Sequence, residues 1–114
     1  MTERLSKVNR LLQKEISTLF LHDVEFPKNV LATVTRVETT PNFQQARVFV
    51  SVFPQEHSDG VISLLSRRVF FIQQTLNKRL KMRPVPRIEW TREAKTAEAQ
   101  RIEELLERAK HDIE

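Results

Sequence analysis

Residues 58–86, SDGVISLLSRRVFFIQQTLNKRLKMRPVP, decide the fold. Their apolar residues Val61, Leu65, Val69, Ile72, Leu76 and Leu80 are separated by four, four, three, four and four positions. That spacing lays all six along one stripe of an α-helix. The stripe needs a surface to cover it, and the neighbouring sequence supplies a β-hairpin before it and a strand after it. The opposite face carries Arg67, Gln74, Asn77 and Lys81, with Phe70 among them. One helix is therefore expected to seat the core on one side and to present cations on the other.

The flanking segments supply the platform. Residues 30–40 are rich in β-branched side chains and read as a strand. Their apolar positions Ala32 and Val34 change phase at Val37, which predicts a bulge near Arg36. Thr39-Thr40-Pro41-Asn42 reads as a turn. Residues 45–53 alternate as a second strand, with Ala46, Val48, Val50 and Val52 on one side and Arg47, Phe49, Ser51 and Phe53 on the other. So short a turn makes the pair antiparallel. Residues 54–60 form a polar loop in which Ser58 or Asp59 is the expected helix cap. Beyond the helix, Arg83-Pro84-Val85-Pro86 is a stiff, extended connector. Residues 87–92 then read as a third strand with Ile88 and Trp90 on one face. A strand reached through a helical crossover lies parallel to its neighbour, so the sheet is expected to be mixed.

At the start, Thr2 is placed to cap a helix running to about Phe20, whose stripe is Leu5, Val8, Leu12, Ile16 and Leu19. Arg4, Lys7 and Lys14 share a different face, with Arg10 nearby. Pro27 forbids continuation. At the other end, a helix over residues 96–112 aligns Ile102, Leu105, Leu106, Ala109 and Ile113. Glu98–Arg101 and Glu104–Arg108 stand at pairing distance along it. The order α-β-β-α-β-α describes a single α+β domain, a small mixed three-stranded sheet with helices on one face. Residues 1–93 form the body. Residues 94–114 form an amphipathic, acidic C-terminal helix expected to pack on it.

A chain of 114 residues can bury a core unaided. It has no cysteine, so disulfides and thiolate metal sites are excluded and a reducing cytoplasm is expected. Its single glycine excludes the Gly-rich phosphate loops of nucleotide-binding folds. No apolar run approaches the ~20 residues that span a bilayer, and the start lacks the pattern of a signal or transit peptide. No membrane contact is expected. The net charge of +4 is unevenly spread. Residues 1–92 hold 15 Lys/Arg against 8 Asp/Glu, and residues 93–114 hold 4 against 7. A basic body implies a polyanionic partner.

The densest basic run is Lys78, Arg79, Lys81, Arg83, Arg87 and Arg92, interrupted only by Glu89 across fifteen residues. Attraction of cations to the negative end of a helix accounts for two of the six. Phosphate contact explains the density of the rest better. Lys78, Arg79, Lys81, Arg83 and Arg87 are thus candidate RNA-binding residues, with Arg67, Arg68, Arg4, Lys7, Arg10 and Lys14 extending the footprint. Phe70 is open to two readings. It stacks on an exposed base, or it packs beneath the C-terminal helix through Leu105 or Ile102. Packing is favoured, because large apolar groups usually find cover.

Catalysis finds no support. His22, His57 and His111 share no spacing and no cysteine nucleophile exists, so neither an enzyme nor a metal, cofactor or small-molecule substrate is expected. The competing class is a helix-mediated protein–protein interaction module, basic only for solubility. The excess of arginine over lysine on the long helix speaks against it, since arginine suits phosphate.

Several segments, in order, resemble one family. They are Lys14-Glu15-Ile16-Ser17, Val34-Thr35-Arg36-Val37, Pro41-Asn42-Phe43, Ala46-Arg47-Val48-Phe49-Val50-Ser51-Val52 and Leu80-Lys81-Met82-Arg83-Pro84-Val85-Pro86. Arg101-Ile102-Glu103-Glu104-Leu105-Leu106 in the tail fits as well. Together they look like bacterial ribosome-binding factor A. The resemblance implies a type II KH-like fold and a monomeric, non-catalytic partner of the small ribosomal subunit and its 16S-type rRNA. It further implies a role in late maturation and in cold adaptation. Two departures stand out. The family typically kinks its long helical region at an Ala-x-Gly segment, where this chain has Arg68-Val69-Phe70. With no glycine there, the helix is expected to run straight or to bend at Ser66. After the third strand the family usually has a tyrosine, an acidic residue and a later glycine, where this chain offers Arg92, Glu93 and Ala99.

Overall fold

A computed structural model of the chain describes residues 3–93 and, beyond them, residues 101, 104–106 and 108–109. Helix α1 spans Glu3–His22, strand β1 Leu31–Thr39 and strand β2 Gln45–Phe53. A 3₁₀ turn at Gln55–His57 leads into helix α2, Ser58–Arg67. Helix α3 follows at Val69–Arg79 and strand β3 at Arg87–Arg92. Of the helix expected over residues 96–112, the described residues are helical and the remainder lies outside the described residues, as does Thr2.

The sheet has the order β1-β2-β3, antiparallel between β1 and β2 and parallel between β2 and β3. The register slips between Val34 and Arg36, where the change of apolar phase places a bulge. The extra residue lets Val34 and Val37 point the same way, opposite Val50 and Val48. Helix α1 satisfies the carbonyls freed there: the Gln13 side-chain amide donates to Val34 O and Thr35 O, each at 3.3 Å. One turn earlier, Asn9 Oδ1 accepts from the Thr39 N–H at 2.9 Å. Two amide side chains four residues apart thus fix α1 along β1.

All three helices cover one face of the sheet. Leu12, Ile16 and Leu19 of α1 join Val61 and Leu65 of α2 and Ile72 and Leu76 of α3 over Val34, Val48, Val50 and Ile88. Each such side chain, withdrawn from water, contributes about 1.5–3 kcal/mol. On the other face Phe49 is nevertheless buried, because the Arg36 guanidinium lies 3.7 Å from its ring centroid. Glu38 and Glu93 hold Arg36 in place.

The long helix is broken, and neither at Ser66 nor with a glycine. Arg68 leaves helical geometry at φ −98°, ψ 2°. Its N–H is shared between Leu64 O and Leu65 O at 3.1 Å each, and its carbonyl accepts from Ile72 N at 3.1 Å, so the hydrogen-bond ladder passes through the break almost intact. The two halves cover different surfaces. Helix α2 packs over β2 and β3, whereas α3 packs over β3 and alongside α1. One straight rod cannot follow both. The helix starts at Ser58 itself, which is buried, so neither Ser58 nor Asp59 is the cap. His57 occupies that position without a side-chain cap bond.

Candidate nucleic-acid interface

The end of α3 is assembled by two side chains. Leu80 turns extended and ends the helix, leaving carbonyls unpaired. Arg83 reaches back to this end: its Nη1 donates to Leu80 O at 2.8 Å and, beyond the helix, to Met82 O at 2.7 Å. Gln73, one face round on α3, holds the following chain. Its Nε2 donates to Pro86 O at 3.1 Å and its Oε1 accepts from Ile88 N at 2.9 Å. The connector between α3 and β3 is therefore fixed at both ends, with Arg83 on it and Arg87 opening β3.

The last residue of α3, Arg79, faces the later part of α1, and the connector after it reaches the start of α1. There a groove of about 450 Å³ is lined by Arg4, Lys7, Val8 and Leu11 of α1, Asn42 and Phe43 of the β1–β2 turn, and Met82, Arg83 and Pro84 of the connector. A second groove of about 360 Å³, lined by Gln73, Asn77, Arg83, Pro84, Val85 and Arg87, continues on the other side of Arg83. Neither groove has a carboxylate in its lining. Arg4, Lys7, Arg83 and Arg87, from distant parts of the sequence, thus border the two grooves, with the Lys7 ammonium 3.7 Å from Glu3.

The other candidates are placed differently. Lys78 and Lys81 are exposed around the end of α3, and Arg10 and Lys14 on α1, but they line neither groove. Arg79 points at α1, where its guanidinium lies 4.0 Å from Glu15 and 3.8 Å from Asp23. Arg67 is exposed at the end of α2. Arg68 lies over the Phe71 ring at 4.9 Å and borders a hollow shared with Asp23 and Glu25. Arg92, part of the same basic run, pairs with Asp59 at 3.4 Å. Phe70 is 72% exposed and Leu105 is 58% exposed, so the favoured packing of Phe70 under Leu105 does not occur. Its alternative partner Ile102 lies outside the described residues. His22 ends α1 and His57 precedes α2, while His111 lies outside the described residues.

Sequence reasoning passed over Asn42, Phe43, Met82 and Pro84 as site residues. The signal for Phe43 was present: a large aromatic inside a polar turn, where no core demands one. Met82 and Pro84 read as connector, and only the approach of α1 turns them into the floor of a groove.

The model of the family described as Ribosome-binding factor A matches residues 4–106. A ribosome-binding factor A of Prosthecochloris aestuarii is 34% identical over 113 residues, spanning 96% of this chain and 91% of the relative. That of Nitrosococcus oceani is 27% identical over 107 residues, spanning 93% and 84%. Among solved structures, the crystal structure of ribosome-binding factor A from Thermus thermophilus is similar at TM-score 0.67 and 25% identity, over 77% of this chain and 94% of that one. A homology model of the Thermus thermophilus factor, fitted into a cryo-electron-microscopy map of a 30S–RbfA complex, is similar at TM-score 0.63 and 26% identity, over 73% and 88%.

Proposed function

The chain belongs to the ribosome-binding factor A family, and we propose that it is a non-catalytic assembly factor that binds the small ribosomal subunit and its 16S-type rRNA during late maturation in the cytoplasm. The observation that carries this reading is the pair of grooves meeting at Arg83, bordered by Arg4, Lys7, Arg83 and Arg87 and lined by no carboxylate. Guanidinium groups on grooves whose linings hold no carboxylate are available to phosphate oxygens, which they match in geometry and charge. Lys78 and Lys81, exposed beside the grooves, add attraction without fixing position. Arg10, Lys14, Arg67 and Arg68 extend the field, and Arg79 contributes least because Glu15 and Asp23 face it. The 30S complex of the similar Thermus factor supports the choice of partner. Loss of the protein is expected to register as unprocessed small-subunit rRNA, most of all in the cold.

Co-sedimentation of the chain with purified small subunits, with and without ribonuclease and across a salt series, tests this. Retention that falls steeply with salt and disappears on RNA digestion is the expected result. Retention that ignores both would assign the chain to a protein-interaction module instead.

A further inference from the structure

The groove at the start of α1 has a composition that phosphate binding alone does not require. Arg4, Lys7 and Arg83 stand at its rim, but its floor is apolar, formed by Val8, Leu11, Phe43, Met82 and Pro84. At about 450 Å³ it has the size of pockets that enclose a small organic group. A phosphate seat consists of N–H and O–H donors. An aromatic, apolar floor under a cationic rim suits a flat ring covalently joined to an anion.

Phe43 adds an independent observation. Its φ is 60°, in the left-handed region that bulky residues rarely adopt. The turn enforces that conformation. Phe43 N–H donates to Thr40 O at 2.9 Å, Thr40 N–H to Gln45 O at 2.8 Å, and Gln44 N–H to Asn42 Oδ1 at 3.1 Å. Glycine or asparagine would occupy this position with less strain. The chain places a phenyl ring there instead, with the Arg4 guanidinium 5.1 Å from its centroid. Strain kept in a turn that ordinary turn residues would relieve indicates a use for the ring.

We propose that this groove is a seat for one unpaired nucleotide of an RNA strand. The base lies against Phe43, Met82 and Pro84, and the phosphates on either side of it meet Arg4, Lys7 and Arg83. The proposal rests on the RNA-binding reading above and adds to it a preference for single-stranded over paired RNA, since a base in a duplex cannot leave its stack without cost. The acidic residues 94–114 of the chain itself could neutralise the rim, but carboxylates offer nothing to the apolar floor.

The full-length chain is titrated with a labelled single-stranded RNA hexamer and with a duplex of the same sequence, as wild type and as Phe43→Asn. Asparagine suits the left-handed backbone, so the melting temperature should stay within about 3 °C. Affinity for the single strand should fall roughly tenfold with loss of stacking, and affinity for the duplex should not change. In parallel, a hexamer carrying 4-thiouridine is cross-linked to the wild-type chain, and the adduct is expected on the peptide containing Phe43 or Met82. The cross-link uses the unaltered protein, so it decides the matter even where Phe43→Asn folds poorly. Equal hexamer affinity in both proteins, or adducts confined to Phe70 or other distant residues, would overturn the seat and leave phosphate contact standing. Absence of salt-dependent binding to either RNA would overturn both readings. A carbodiimide cross-link from Lys7 to residues 94–114 that the hexamer does not displace would assign the groove to the chain's own tail.

Discussion

Replacing Arg83 and Arg87 together by glutamine should flatten the salt dependence of subunit binding by a predictable amount. Four cations border the grooves, and each phosphate contact adds about −0.7 to −0.9 to the slope of log K against log salt. The wild-type slope expected from these four alone is therefore about −3, and the double variant should show about −1.5. Extrapolated from 1 M salt, each lost contact weakens binding at 0.1 M by about five- to eightfold, or about 25- to 60-fold for the pair. Arg83 also stabilises the fold through Leu80 O and Met82 O. Losing those bonds should cost about 1 kcal/mol and lower the melting temperature by about 4 °C. Filter binding to small subunits at several potassium chloride concentrations, well below the melting point, measures the slope directly. Arg79→Gln is the matched control. It removes a charge from the same basic run, but one that faces Glu15 and Asp23, and should change affinity by less than about twofold. A double variant with the wild-type slope, or an Arg79→Gln loss as large as that of Arg83→Gln, would refute the assignment of phosphate contacts by groove.

Two further outcomes follow from the same geometry. Gln73→Leu removes both partners of Ile88 N and Pro86 O and leaves two part-buried backbone groups unpaired, which should destabilise the chain by about 1–3 kcal/mol in urea unfolding. An unchanged midpoint would mean that the connector is fixed by something else. Phe70→Ser should leave stability within about 0.5 kcal/mol, because the ring is almost uncovered. A loss above about 1.5 kcal/mol would show that something packs on it.

The elements of this fold were legible wherever a periodic pattern met a breaker. The second and third strands stand at residues 45–53 and 87–92, where alternation predicts them, and the bulge lies where Ala32, Val34 and Val37 change phase. The long helix was legible as a stripe and not as two rods. Steps of four, four, three, four and four fit one straight helix and two angled ones equally, since both keep the apolar residues inward. The break goes with tertiary packing, α2 lying over β2 and β3 and α3 over β3 and beside α1, and nothing about Arg68 announces it. The site was legible as a charge and not as a shape. The basic run names Arg83 and Arg87, but the groove needs the start of α1 and the β1–β2 turn beside them, and those contacts span about eighty residues of sequence.

The break at Arg68 and the location of the charge are connected. Past the break, α3 and the connector after it carry Arg83 to the first turns of α1, where Arg4 and Lys7 stand. Of the acids of the helical layer, Glu3 pairs with Lys7 at 3.7 Å and the others stand further along. Asp23 and Glu25 border the hollow at Arg68, and Glu15 and Asp23 face Arg79. Helix α1 has 20 residues and so spans about 30 Å. That is several times the Debye length of about 8 Å at physiological ionic strength, so carboxylates at one end of α1 cannot cancel the field of cations at the other. A net charge of +4 understates what an RNA strand would meet. Glu3 stands beside Lys7 in the first turns of α1, so the field that reaches an RNA strand there is carried mainly by Arg4 and Arg83.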